Sequence, residues 1–165
     1  MTVSSKAFIG IGSNKGDRKK NCGTAIKALA TFRNSSLIKK SSFYETEAWG
    51  DENQDNFINC VVEIKTEKNI FDFFSLLQKT EKDMSKEKER FWGPRNIDID
   101  LLFFGTQIII EPELKVPHPL LHLRRFVLEP LTEIAPDFIH PAINQPIQLL
   151  FNKLADSKKT VKILC

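Results

Sequence analysis

Two aspartates stand two residues apart in the run Arg90-Phe91-Trp92-Gly93-Pro94-Arg95-Asn96-Ile97-Asp98-Ile99-Asp100-Leu101-Leu102-Phe103-Phe104. The stretch from Ile97 otherwise reads as a buried β-strand. In a strand, residues two apart share a face, so Ile97, Ile99 and Leu101 point one way and Asp98 and Asp100 the other. Two like charges side by side are costly unless a cation lies between them. Strand rise sets their Cα atoms ~6.6 Å apart. Carboxylates reaching from that spacing can bridge two cations about 3.5–4 Å apart, as in two-metal phosphoryl-transfer sites. Magnesium takes such oxygen ligands and completes its shell with phosphate and water. Gly93-Pro94-Arg95 is a rigid turn ending in a permanent cation, and the Arg95 fork suits a phosphate oxygen gaining charge. Together these residues predict a magnesium site that handles a polyphosphate.

Each residue also has a plainer role. Asp98 and Asp100 could line a solvated sheet face, but Asp is among the poorest strand formers. Arg95 alone could be a surface ion pair. Gly10-x-Gly12-x-x-x-Gly16 matches neither the dinucleotide nor the Walker A pattern and reads as a tight strand-to-helix turn. His118 and His122 are four apart, but Pro117 and Pro119 argue against a helix there, and no partner has zinc spacing. His118 is left as either a phosphate donor or an ordinary loop histidine, and His140 as structural. Trp49, Trp92 and Phe126 fall outside the core pattern and are candidate ligand lids.

The elements that position these residues follow from periodicity. Ala7–Gly12 predicts a first strand, Ser13–Asp17 a turn, and Cys22, Ala25, Ile26, Leu29 and Phe32 a helix. Leu37–Tyr44 reads as a second strand and Phe57–Ile64 as a third, with Thr46–Asn56 a polar loop carrying Trp49. Ile70, Phe73, Phe74 and Leu77 mark a second helix with Asn69 as its N-cap. The Ile97–Phe104 strand follows. The order is βαββαβ, an α+β ferredoxin-like antiparallel sheet with helices on one face. A C-terminal extension adds a short strand at Ile108–Ile110, a proline-rich segment and a helix near Ile147–Leu154. In the third strand Ile58, Cys60, Val62 and Ile64 form one apolar face, leaving Phe57 and Asn59 opposite. Phe57, Asn59, Asp98 and Asp100 are therefore expected on one surface, fit for a flat heteroaromatic ring beside a metal-bound phosphate chain.

Composition sets the bounds. The 165 residues, 41% hydrophobic and 27% charged, fit one domain, 1–165, with a real core. A net charge of +3 is too small to argue for nucleic acid, and the Lys/Glu-rich patch from Lys79 to Arg90 reads first as a solvated helix end. No apolar run approaches a membrane span, and the start lacks a signal-peptide core. Cys22, Cys60 and Cys165 form neither a disulfide framework nor a zinc pattern, so a cytoplasmic protein is expected.

Trp92-Gly93-Pro94-Arg95-x-x-Asp98-Ile99-Asp100-Leu101-Leu102 resembles the signature of the 6-hydroxymethyl-7,8-dihydropterin pyrophosphokinases of folate biosynthesis. Gly12-Ser13-Asn14, Ser42-Phe43-Tyr44-x-Thr46, Asn56-Phe57-x-Asn59, Val116-Pro117-His118-Pro119 and Arg125-Phe126-Val127-Leu128-x-Pro130-Leu131-x-x-Ile134-Ala135-Pro136 agree in family order. The resemblance implies pyrophosphoryl transfer from ATP to the pterin hydroxymethyl oxygen, releasing AMP. It implies that Asp98 and Asp100 hold two magnesium ions, that Arg95 stabilises developing charge, and that Phe57 and Phe126 sandwich the pterin. Asn59 would read the ring edge, helped by backbone near Thr46 and Trp49. Gln78, Glu81, Lys88, Trp92, Arg95, Leu101, Lys115, His118 and Arg124 would line the ATP site. Small-molecule substrates, no nucleic acid, no membrane and a monomer are the expected partners and state. No fused aldolase or dihydropteroate synthase domain is expected within these 165 residues. The chain departs from the family pattern at Phe91, where a basic residue is usual, and at Lys86 and Lys88, which stand for loop arginines. Glu113 stands where some relatives have arginine, with Lys115 as substitute, and Glu47-Ala48 replaces a common Pro-Pro.

Two other readings compete. One is another magnesium-dependent nucleotidyl- or phosphotransferase using the same acid pair. The other is a ferredoxin-like RNA-binding module, against which stand the missing aromatic-rich strand and the repulsion between Asp98, Asp100 and a phosphate backbone.

Overall fold

The computed structural model describes residues 3–50, 52–85 and 96–164. Along the described residues, strands β1 (Ser5–Ser13), β2 (Ser35–Lys40), β3 (Tyr44–Thr46), β4 (Phe57–Thr66), β5 (Asp98–Phe104), β6 (Ile109–Ile110), β7 (Lys115–Val116) and β8 (Thr160–Lys162) alternate with α-helices. These are α1 (Arg18–Ala30), α2 (Ile70–Met84), α3 (Arg125–Ile134) and α4 (Ile147–Asn152). The main sheet has the order β5-β1-β4-β3-β8, with β2 also pairing with β4, and its pairings are antiparallel. β6 and β7 form a separate two-stranded ribbon.

Helix starts follow local chemistry. Asp17 accepts the Lys20 N–H and caps α1, and Asn69 accepts the Asp72 N–H and caps α2, as its sequence position predicts. The expected single strand Leu37–Tyr44 is instead two strands. Ser41 ends the first: its backbone N–H donates to the Val61 carbonyl while its hydroxyl accepts the Val61 N–H at 2.9 Å. A side chain thus replaces the next ladder position, and pairing with β4 resumes at Tyr44.

α1 and α2 pack on one face, over Ala7, Ile9, Ile11, Ile58, Cys60, Val62, Ile64, Ile99 and Leu101. The C-terminal extension covers part of the opposite face. There Phe8, Val61, Leu102 and Phe103 meet Val127, Leu128 and Leu131 of α3 and Ile147 and Leu150 of α4. The proline-rich segment therefore contains a helix that its prolines conceal. Pro130 lies inside α3, yet Val127, Leu128, Leu131 and Ile134 are buried at helical spacing. Strict alternation in β5 also ends early. Ile9 pairs with Leu101 but Phe8 with Phe103, so Leu102 is an extra bulge residue, and it joins the α3 side with Phe103.

Candidate active site

The face toward α3 changes character along the sheet. Gly10 lies opposite Asp100 and Val61, and Gly12 opposite Asp98 and Asn59. Beside these small and polar residues a cavity of about 270 Å³ opens, bordered by the first turn of α3. Phe57, Asn59, Asp98 and Asp100 all line it, the shared surface that strand alternation predicts. Thr46, Trp49, Arg124 and Phe126 complete the wall.

Asn59 is 7% exposed. Its Nδ2 donates to Thr46 Oγ1 at 2.6 Å. Its Oδ1 lies 2.4 Å from where a Cβ on residue 12 would stand. Gly12 is thus required by the close approach of a side chain to the strand, a role distinct from the turn expected of the glycine pattern. Only Gly16, at φ +68°, lies in that turn; Gly10 and Gly12 are within β1. The polar loop is braced by Asn14, whose Nδ2 donates to Gln54 Oε1 at 3.1 Å. Gln54 also lines the cavity and carries no motif that singles it out in the sequence.

Arg124 joins the aromatic and acidic parts. Its guanidinium carbon lies 4.5 Å from the centroid of the Trp49 ring and 5.5 Å from that of Phe126. Burial pulls its pKa below the ordinary value, while Asp100 and then Asp98 oppose that pull. Its Nε is buried and has no hydrogen-bond partner among the described residues, leaving a donor for an incoming acceptor.

The remaining described residues expected at a nucleotide gather around β5, at one edge of the sheet order. Glu81, on α2, accepts the Ile99 N–H at 3.0 Å. Gln78 lies one turn earlier on the same helix. Lys115 is exposed on β7, and the His118 N–H donates to the Leu102 carbonyl at 3.0 Å. Leu101 is 4% exposed and packs toward α1 and α2, away from the cavity. His118 Nδ1 accepts the Leu120 N–H, and burial, then Arg124, pulls its pKa down to about 4. The ring is therefore neutral near pH 7, with its proton on Nε2. Lys88, Trp92 and Arg95 lie outside the described residues.

The donor set fits magnesium. Among the described residues no three His, Cys, Asp or Glu side chains cluster as a cage. Two neighbouring carboxylates opening into a cavity leave most of the shell to phosphate and water, the arrangement magnesium favours. Among those residues, too, no helix is long and apolar enough to cross a membrane.

Comparisons with known proteins give the family and the fold. Residues 8–136 match the family model described as 7,8-dihydro-6-hydroxymethylpterin-pyrophosphokinase (HPPK). The chain is 44% identical over 142 residues to the 2-amino-4-hydroxy-6-hydroxymethyldihydropteridine pyrophosphokinase of Aquifex aeolicus, covering 86% of this chain and 87% of that one. It is 42% identical to the protein of the same name from Bacillus subtilis, covering 78% and 77%. A crystal structure of Plasmodium falciparum HPPK-DHPS superposes with a TM-score of 0.73 at 16% identity, over 93% of this chain and 46% of that longer one, and so supports the fold. The chain belongs to the 7,8-dihydro-6-hydroxymethylpterin-pyrophosphokinase family.

Proposed function

We propose that the cavity beneath Trp49 and Phe126 takes the pterin, and that Asp98 and Asp100 hold magnesium against the ATP phosphates. The family reaction is transfer of pyrophosphate from ATP to the hydroxymethyl group of 6-hydroxymethyl-7,8-dihydropterin, a step of folate biosynthesis. With ATP as the donor of two phosphoryl groups, the product left behind is AMP. The observation that carries the residue assignment is the meeting of Phe57, Phe126, buried Asn59 and the two aspartates around one cavity. Phe57 and Phe126 supply flat faces for a ring. Asn59, fixed by Thr46, presents a placed amide to its edge, with backbone near Thr46 and Trp49 as further partners.

The acid pair lies beside this pocket, so the ring's hydroxymethyl oxygen is held next to the phosphate chain. Two magnesium ions at Asp98 and Asp100 would supply charge neutralisation and alignment of the attacked β-phosphorus. The chain's own part is positioning and electrostatics. Arg124 spans the aromatic wall and the acid pair, so it serves both substrates. Gln78, Glu81, Lys115 and His118 border the open side of β5, where a nucleotide can run toward Asp98; Leu101 would contribute backbone there. The neutral His118 offers Nε2–H to a phosphate oxygen. Lys88 and Trp92 are assigned to the nucleotide on the resemblance, and Arg95 on the resemblance and on its guanidinium fork beside the acid pair in the sequence. We take the protein to act as a monomer with two small-molecule substrates.

The test is product analysis with ATP, the reduced pterin and Mg²⁺. AMP is expected, in amounts equal to the pyrophosphorylated pterin, and chelation of magnesium abolishes it. Release of ADP or of free pyrophosphate, or turnover without pterin, overturns the reading in favour of another phosphotransferase.

A further inference from the structure

The match to the family model ends at Pro136, and the last segment of the chain lies beyond it. After α4 that segment returns past both walls of the cavity. At the first wall, Asp156 Oδ2 accepts the Arg125 N–H at 2.9 Å and the Asp156 carbonyl accepts Arg125 Nε at 3.3 Å. α3 has no side-chain cap of its own and no acidic residue in its first turn. A carboxylate 31 residues downstream therefore meets one of its orphan N–H groups and the positive end of its dipole. Phe126 is the next residue and Arg124 the one before. Thr160 adds a hydroxyl bond to Glu129, one turn further along α3.

At the second wall, Lys158 Nζ lies 2.6 Å from Glu52 Oε1. The Lys159 N–H donates to Glu47 Oε2 at 3.3 Å, and the Glu47 N–H donates to the Lys159 carbonyl at 3.2 Å. A proline at 47 could make neither bond. β8 then pairs with β3 from Thr160–Thr46 to Lys162–Tyr44. Asp156 Oδ1 accepts the Lys158 N–H at 2.9 Å, linking the two attachments to each other. One short segment thus holds the start of α3, with Arg124 and Phe126, and the loop that carries Thr46 and Trp49.

We propose that residues 156–162 clamp the two walls of the pterin pocket at a fixed spacing, with Asp156 and Lys158 as positioning residues for pterin binding. This rests on the assignment of the pocket to pterin. A merely structural tail would alter stability or both substrates alike; a clamp on this pocket alters the pterin side selectively.

The test measures Michaelis constants for pterin and ATP separately. Asp156→Ala is expected to raise the pterin constant about five- to tenfold, the scale of losing a helix-end cap, with the ATP constant, reached only through Arg124, rising by severalfold less. Asp156→Asn, which keeps an accepting oxygen, recovers most of the loss. Lys158→Glu weakens pterin binding about twofold, as befits an exposed ion pair, and adding Glu52→Lys restores it. This charge swap leaves the helix end untouched, so it decides the matter even if Asp156→Ala does not fold. Amide hydrogen exchange supplies a readout that needs no turnover: Asp156→Ala or Lys158→Glu speeds exchange at residues 125–126 and 47–50. Pterin and ATP constants that move together, pterin constants that do not move, or exchange unchanged at both walls overturns the clamp. A wild-type protein that makes no AMP from the pterin overturns the pocket assignment instead, and exchange alone then decides whether the tail holds the walls.

Discussion

One face of the sheet is built as two halves, and the contrast between them locates the site. At one end Phe8, Val61, Leu102 and Phe103 are bulky and meet α3 and α4. At the other, the same three strands present Gly10 and Gly12, Asn59, and Asp98 and Asp100. β1 and β5 change from large and apolar to small or polar at the Gly10–Asp100 level, and β4 one row later, from Val61 to Asn59. β1 gives space, β4 an amide, and β5 the acids. The second apolar layer stops there, and the cavity begins. Burial stabilises the first half; the second uses the rigidity so obtained to hold polar groups at a fixed spacing. The two halves should therefore fail differently when altered.

The largest effect is expected in the polar half. Asp98→Ala or Asp100→Ala should lower kcat by at least about a thousandfold, since each removes several kcal/mol of charge stabilisation. Neither side chain belongs to an apolar cluster, so the melting temperature should stay within a few degrees. Coupled AMP detection and thermal melting measured on the same samples check both statements. Loss of fold in both variants would erase the distinction between the halves, and near-normal kcat in both would remove the metal assignment.

The sequence made this polar half legible because alternation in a strand is a strict rule. Asp98 with Asp100, and Phe57 with Asn59, could be placed on one surface from period two alone. What alternation could not show was why the glycines are there. Gly10 and Gly12 read as a turn because a glycine pattern followed a strand; only the register of β1 with β4 reveals Asn59 against Gly12. The apolar half was less legible. α3 was obscured by Pro130, although its buried residues keep helical spacing. The break at Ser41 depends on a hydroxyl bonding a strand twenty residues away, and the cap of α3 comes from Asp156. Such long-range hydrogen bonds leave no local pattern. Arg124 stood out only through the family resemblance, and its placement on Trp49 needed both loops to be in position.

A smaller effect, on stability rather than turnover, is expected in the apolar half. His140 is 3% exposed and stacks edge-on against Phe103 at 5.2 Å. Its Nδ1 accepts N–H bonds from Ala142 and Ile143, so protonation there would set proton against proton. Burial, and then His122, pulls its pKa down to about 4. The unfolded chain takes up a proton near pH 6.5, whereas the folded chain does not until near pH 4. Stability from this group is therefore fully present above pH 6.5 and is lost as pH falls toward 4. The loss is about 3 kcal/mol in all, of which roughly 2 arrives by pH 5. His118 acts with the same sign. Urea unfolding at steps from pH 7 to pH 5 checks this while carboxylates stay largely ionised, and His140→Asn should flatten the slope. A wild-type stability that holds level or rises over that range would contradict a neutral His140 in the fold.

The finest test lies one row inside the polar half, in Gly12. Gly12→Ala adds one methyl group, which would stand 2.4 Å from Asn59 Oδ1. Neither can stay. β1 is locked between β4 and β5, so Asn59 is the group that turns, and its bond to Thr46 goes with it. A displaced buried amide costs about 1–2 kcal/mol, which is roughly a tenfold weaker hold on the pterin edge. Because Phe57, Phe126 and the acid pair are untouched, the ATP constant should not change, and kcat at saturating pterin should fall much less than in the aspartate variants. Titration of the pterin together with ATP kinetics measures this. If Gly12→Ala instead unfolds the protein without touching pterin affinity in what remains folded, Gly12 belongs to the apolar half, and the boundary between the halves lies beyond the row of Gly12, Asp98 and Asn59.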